Sequence, residues 1–236
     1  MYNCFPRTLN EGNLPAFFLY VPNSTQGGDI TVCSLNVRGL SNNQKRRETF
    51  FTVEKNPEIL YLFLTRGAYS PQEKQKAVGN PNGGIFTNFS SSRAGVGILF
   101  NNNFHFQISK CFVDPEGRFI IADTGDLQDK MLTLVNIYAP NKDEPTFFQN
   151  VGEKLSSFDC DFMIFGSDFN LVCDIHKAKK GGIPTTHSKS RDEVEILKEN
   201  FELTDIWRVL NPDATRFTWR TRKKPRNSMS FRFFSY

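Results

Sequence analysis

Seven short apolar runs recur between residues 30 and 170: "ITVCSLNV", "EILYLFL", "AGVGILF", "FHFQIS", "RFIIADT", "LTLVNIYA" and "DFMIFGSDFN". Runs of this length, rich in β-branched and aromatic residues and bounded by turn formers, are expected as strands. Three stretches have a different period. "PTFFQNVGEKLSSF" and "SRDEVEILKENFEL" carry apolar residues at helical spacing, and "NQKRRETFFTV" has a helical look with its basic residues on one side. Strands alternating with helices at this density predict an α/β layered domain. A chain of 236 residues is long enough to bury one sizeable core of that kind.

Residues 1–28 are rich in Asn, Pro and Gly and end in "NSTQGGD", which predicts a poorly structured N-terminal extension. The domain itself is expected over residues 29–236. "KAKKGGIPTTHSKS" (177–190) reads as a polar surface loop and "RTRKKPRNS" (220–228) as a basic one.

Composition narrows the class. The formal charge of +4 permits a nucleic-acid partner without arguing for one. Cys4, Cys33, Cys111, Cys160 and Cys173 are odd in number and lack CxxC spacing, so they read as reduced structural thiols of an intracellular protein. No apolar run approaches the roughly 20 residues needed to span a bilayer, and "LPAFFLYVP" lacks the basic flank of a signal peptide. The chain is therefore expected to be soluble, with no membrane association. Nothing in it argues for an obligate protein partner.

Three apolar runs end in polar residues, where α/β proteins usually build their sites. "SLNVRGL" offers Asn36, "VNIYAPN" offers Asn136, Tyr138 and Asn141, and "FGSDFN" offers Asp168 and Asn170. Singly, each could be an ordinary strand terminator. In order, "LNVRGL", "AGVGILF", "RFIIAD", "NIYAPN", "GSDFN" and "TDIWRVLNP…RFTWR" resemble the endonuclease domain of non-LTR (LINE-type) retrotransposons, over about residues 30–236. That domain is of the endonuclease/exonuclease/phosphatase superfamily, with the apurinic endonucleases and DNase I-like nucleases.

The resemblance implies a two-sheet α/β sandwich of the DNase I-like type that hydrolyses a DNA phosphodiester with Mg²⁺. It assigns Asn36 to metal and phosphate binding and places Tyr138 and Asn136 near the scissile phosphate. Asp168 would orient or deprotonate the attacking water, with Asn170 beside the phosphate. DNA is the implied partner, and Arg220, Arg222, Lys223, Lys224 and Arg226 are weaker candidates for phosphate contacts.

Three of the family's pieces are missing. Its central metal ligand is the Glu of "LQE[TV]H"; here the matching position is Thr65 or Arg66. Its "CRLDFFL" Asp is replaced in "MSFRFFS" by Arg232 or Phe231, and its final "SDH" strand would lie past Tyr236. The last strand is therefore expected to be lacking or scrambled. His105, His176 and His187 match no catalytic position. Three readings follow: a degenerate endonuclease, an active one, or a non-catalytic DNA-binding or structural relic.

Both damaged motifs yield to one shift of frame. The genetic code permits residues 64–69 to be written CTT ACA AGA GGT GCA TAC, a choice of codons that gives Leu-Gln-Glu-Val-His one nucleotide later. It equally permits residues 227–236 to be written AAT TCA ATG TCG TTT AGA TTT TTT TCT TAT, which gives Ile-Gln-Cys-Arg-Leu-Asp-Phe-Phe-Leu in the same shifted frame; codons chosen in this way show that the shift is possible and do not prove it. A decayed gene, an error in its translation and ordinary divergence all remain open on sequence alone. Sequencing the genomic DNA and transcript across both segments separates them. Gln-Glu-Val-His and Arg-Leu-Asp in the displaced frame are the expected result, and a meaningless displaced frame points to divergence.

Overall fold

The apolar runs pair into two six-stranded sheets. In a computed structural model of the chain, the described residues are 3–9, 14–21, 30–36, 44, 47, 59–65, 84–86, 95–101, 107–126, 131–158, 161–171, 188–213, 219–220, 228–229 and 232–235. The first sheet holds β1 (Asn3–Leu9), β2 (Leu14–Val21), β3 (Ile30–Asn36), β4 (Ile59–Thr65), β5 (Gly84–Phe86) and β6 (Val96–Phe100), in the order β1-β2-β3-β4-β6-β5. The second holds β7 (Lys110–Val113), β8 (Phe119–Asp126), β9 (Met131–Tyr138), β10 (Phe162–Asp168), β11 (Thr204–Asp205) and β14 (Arg232–Ser235). Its order is β11-β14-β10-β9-β8-β7. Two further short strands, β12 (Trp219–Arg220) and β13 (Ser228–Met229), form a separate ribbon. The pairs β3–β4 and β9–β10 are parallel, and the other pairs are antiparallel.

Strand period decides what each face does. On β9, Val135 and Ile137 turn to one side with Phe119 and Ile121 of β8 and Met163 and Phe165 of β10. That side is covered by helix α1 (Pro145–Leu155) and helix α2 (Ser188–Asn200), through Phe147, Phe148, Val151, Leu155, Val194 and Leu197. The alternate residues, Ile120, Ala122, Leu134, Asn136 and Ile164, are buried on the side facing the first sheet. There β4 meets β9 and β10, β6 meets β8 and β9, and β3 meets β10. A strand covered on both faces needs a near-continuous apolar run, and this is why β9 lacks the polar alternation of a half-exposed strand.

The helices are placed by local chemistry. Pro145 opens α1, where its missing N–H costs nothing, and the buried Phe147, Phe148, Val151 and Leu155 make one stripe. The stripe carries edge-to-face contact between Phe147 and Phe148 (5.1 Å), and Phe148 stacks on Phe169 (6.5 Å). The first turn of α2 is capped from outside by Asp143, whose carboxylate accepts from the N–H groups of Ser190 (2.8 Å) and Lys189 (3.4 Å). The Ser190 hydroxyl in turn accepts from the Glu144 N–H at 2.8 Å, so the loop entering α1 and the start of α2 are tied together.

Several expectations need revision. Residues 3–9 and 14–21, expected within a poorly structured extension, form β1 and β2; β2 pairs with β3 from Ala16↔Leu35 to Val21↔Ile30. The Asn- and Pro-rich composition hid two extended segments, since Pro6 lies on the edge strand β1 and Pro15 at the start of β2, outside its pairing with β3. The strand expected over residues 104–109 starts instead at Lys110; residues 107–109 are irregular, and 104–106 lie outside the described residues. The altered segment "MSFRFFS" still supplies a strand, β14, paired with β10 from Ile164↔Ser235 to Ser167↔Arg232. Ladder pairing uses the backbone, so an altered side-chain set does not prevent it. Of "NQKRRETFFTV", Gln44 and Arg47 are described, and both are helical. Among the described residues, no helix is long and apolar enough to cross a membrane.

Phe148 is 2% exposed and bridges α1 to the Phe169 end of β10. Phe148→Ala should cost about 3–5 kcal/mol, read as a lowered urea midpoint with unchanged slope.

Candidate functional site

The site lies where the carboxyl ends of β3, β4, β9 and β10 come together. Parallel pairing sets Asn36 beside Thr65 on β3 and β4, and Tyr138 beside Asp168 on β9 and β10. Across the gap between the sheets, the Asn36 side chain donates from Nδ2 to Asp168 Oδ2 at 2.7 Å. Residues 132 positions apart thus meet through one directional bond.

Asn170 completes the cluster. Its backbone is in the left-handed region (φ 49°), which Asn tolerates better than most residues. That turn lets its N–H donate to Asp168 Oδ1 (3.2 Å) while its side chain donates from Nδ2 to the Ala139 carbonyl (2.6 Å). Ala139 N–H donates to the Asp168 carbonyl (2.9 Å), so the segments after β9 and β10 are cross-linked on both sides of the carboxylate. Asp168 is 6% exposed and accepts from two amide donors.

Asn136 sits deeper. Gly166 lies beside it on β10, and its side chain donates from Nδ2 to the Gly97 carbonyl of β6 at 2.8 Å. This bond ties one sheet to the other, so Asn136 braces the scaffold under Tyr138 and Asp168. Tyr138 is 4% exposed; its N–H donates to the Arg118 carbonyl (2.7 Å), and the Arg118 guanidinium lies 5.3 Å from its ring centroid.

Arg118 ends a tight turn starting at Asp114. Gly117 N–H donates to the Asp114 carbonyl (3.0 Å), with Gly117 at φ 73° where a side chain would be strained, and Arg118 N–H donates to Asp114 Oδ2 (2.7 Å). Burial pushes the Asp114 carboxyl up from its usual range, and the N–H donors of Arg118 and Glu116 pull part of the way back. Gly95 N–H donates to the Gly117 carbonyl at 3.2 Å, joining this turn to the start of β6.

The structure therefore unites Asn36, Tyr138, Asp168 and Asn170, with Asn136 one layer below. At the register position beside Asn36 it sets Thr65, 1% exposed, which has a hydroxyl and no carboxylate. Arg232 is the β14 residue opposite Ser167, one position from Asp168. Arg66, Arg222, Lys223, Lys224 and Arg226 lie outside the described residues, and Arg220 contributes backbone to β12. Asn141 is exposed on the loop beyond β9. Arg118 was not among the sequence candidates. The one signal for it was "DPEG", a turn placing the next residue at a strand start.

The thiols stand apart from this cluster. Cys33 is buried and Cys111 exposed, both unpaired with any disulfide partner; burial and the nearby Asp123 push Cys111 up to about 11. Among the described residues, no group of three or more His, Cys, Asp or Glu gathers as a metal cluster.

No family model matches the chain. A sequence relative is the uncharacterized 149 kDa protein of transposon TX1 of Xenopus laevis, 26% identical over 174 residues; the match covers 66% of this chain and 13% of that protein. The chain thus corresponds to a small part of that relative. Among solved structures, an AP endonuclease from Archaeoglobus fulgidus superposes with a TM-score of 0.62 at 14% identity, covering 87% of this chain and 86% of that one. The 3′-5′ exonuclease NExo of Neisseria meningitidis gives 0.63 at 16% identity, covering 86% of each. TDP2 of D. rerio, complexed with a single-strand DNA product, gives 0.58 at 18% identity and covers 87% and 83%. The fold is the DNase I-like α/β fold of these structures, and the sequence relative is a transposon protein.

Asn36→Leu removes the donor to Asp168 while keeping side-chain size. It should cost about 1–3 kcal/mol, measured by urea unfolding.

Proposed function

We propose that the chain is the endonuclease-type domain of a LINE-type retrotransposon protein, shaped to take a DNA phosphodiester at the Asn36–Asp168 cluster, with a catalytic site that is weak or dead. The observation that carries the reading is Thr65 beside Asn36, where a metal site needs a second carboxylate. The relative from transposon TX1 and the DNA-processing proteins that share the fold support DNA as the partner.

Within this reading each residue has a task. Asp168, held by two amide donors, is the group that would orient a water and take its proton. Tyr138 and Asn170 flank the place of the phosphate, with Asn170 locked by its bond to Ala139. Asn136 keeps the two sheets in register beneath them.

Mg²⁺, which the family resemblance implies, is a poor fit to these donors. It is held through oxygen ligands, commonly one or two carboxylates with waters and phosphate. Among the described residues one carboxylate, Asp168, stands by the Asn36 amide and Thr65, and its own oxygens already accept from Asn36 and Asn170. No step is therefore routed through the ion.

An active endonuclease is the competing reading, favoured by the intact Asn36–Asp168–Asn170 geometry. Incubation of the purified chain with supercoiled plasmid and Mg²⁺ decides between them. The expected outcome is nicking at background level, equal in the wild type and Asp168→Ala. Mg²⁺-dependent nicking that Asp168→Ala abolishes overturns the degenerate reading and establishes the active one.

A further inference from the structure

We propose that the hairpin of β1 and β2 is a positioning element of the site: it makes β3 an interior strand and so holds Asn36 against Asp168. The hairpin, at residues 3–21, precedes the stretch that carries the family resemblance. Asn36 and Asp168 meet whatever the site binds, so this role stands apart from the DNA reading.

β3 ends in Asn36 and has two neighbours, β4 on one side and β2 on the other. The two ladders differ in regularity. The ladder with β4 slips register between Thr31, which pairs with Ile59, and Val32, which pairs with Tyr61. The ladder with β2 runs unbroken across the same residues, from Val21↔Ile30 through Tyr20↔Thr31 and Leu19↔Val32 to Ala16↔Leu35. It stops at the residue before Asn36. A bulge bends a strand and increases its twist, so the β4 ladder by itself leaves the course of β3 open to adjustment. The β2 ladder fixes it.

Without β2, β3 would be the edge of its sheet, with a row of N–H and C=O groups unpaired. The Asn36 amide reaches Asp168 Oδ2 at 2.7 Å, and such a bond weakens steeply once distance and alignment are lost. It needs a strand held from both sides. The hairpin is held in turn, since a two-stranded ribbon is marginally stable alone. β1 meets helix α3 (Ile206–Leu210), which follows β11 and also packs against β14 of the second sheet. The hairpin thus joins the two sheets at the margin beyond β3, as the Gly95–Gly117 link does at β6. In strand order β3 lies between these two ties. A hairpin that only covered an open edge would prevent association and leave the Asn36–Asp168 bond indifferent to it.

Phe18→Pro with Leu19→Pro, made together in the full chain, separates the two roles. Adjacent N–H groups of a strand point to opposite neighbours, so the pair removes one donor toward β1 and one toward β3. Urea unfolding then closes a double-mutant cycle with Asn36→Leu. The midpoint loss that Asn36→Leu causes in the wild type should shrink by about half or more in the proline background, because the bond is already weakened there. Phe148→Ala, on the helix side of the second sheet, should lose as much in both backgrounds. In NMR spectra the Asn36 side-chain amide, identified by its absence in Asn36→Leu, should move toward the position of a free amide. If near-UV circular dichroism shows the proline variant unfolded, Phe18→Gly with Leu19→Gly weakens the strand while keeping both N–H groups and carries the same cycle. If that variant is unfolded too, a urea titration of the wild type followed by NMR decides. Loss of the β2 amides and of the Asn36 side-chain shift in one step sustains the role, and an Asn36 shift that survives the melting of β2 overturns it. In a folded variant, full additivity with Asn36→Leu, an unmoved Asn36 amide, or an equal coupling to Phe148→Ala overturns it as well.

Discussion

The hydrogen bond from Asn36 to Asp168 joins the ends of two strands that lie in different sheets and far apart in the chain. Apolar faces such as those of Phe63, Ile98, Leu134 and Ile164 attract without direction, so by themselves they leave the sliding of one sheet over the other weakly specified. Directional bonds remove that freedom. Asn36–Asp168, Asn136–Gly97 and Gly95–Gly117 each span the gap, and each uses a polar group in a setting where leaving it unmade would be costly. The alignment of everything at the site follows from them.

The two faces of the second sheet have different work. Toward the helices, Phe119, Phe147, Phe148, Phe165 and Phe169 form a chain of ring contacts that packs α1 against the sheet. Toward the first sheet, the same strands present Asn136, Tyr138 and Asp168 at successive alternate positions. Strand period alone separates a stabilising face from a chemical one. A deep aromatic core on one side allows polar residues on the other to be selected for geometry instead of for burial.

Under the degenerate reading proposed above, Thr65 bears on how such a domain loses chemistry and keeps shape. Its backbone still pairs with Asn36 and Val96, and the bonds from Asn36 and Asn170 to Asp168 and from Asn170 to Ala139 do not use the side chain at position 65. The same holds for Arg232, whose backbone completes β14 regardless of the charge it brings. Ladder bonds tolerate side-chain change, whereas a cation site depends on the identity of each donor. Fold and catalytic competence are separable here for that reason.

Much was legible from sequence. The apolar runs gave six of the strands, the 3.6-residue period gave α1 and α2, and the polar strand ends gave Asn36, Tyr138, Asp168 and Asn170, because strand and helix periods and turn chemistry are local properties. The Pro-containing β1 and β2 were missed, and β14 forms despite its altered residues, since strand pairing is decided by a partner strand and not by the segment itself. Asn136 could be named as polar and buried, yet only the opposing Gly97 carbonyl shows that it braces the sheets. Arg118 looked like a strand-leading residue after a turn; its place over Tyr138 needs β8, β9 and the Gly95–Gly117 link at once. Sequence determined the residue types and the faces they occupy, through periodicity and local propensity. Tertiary structure alone decided which of them meet, because those contacts join residues as far apart as Asn36 and Asp168 and depend on the register between two sheets.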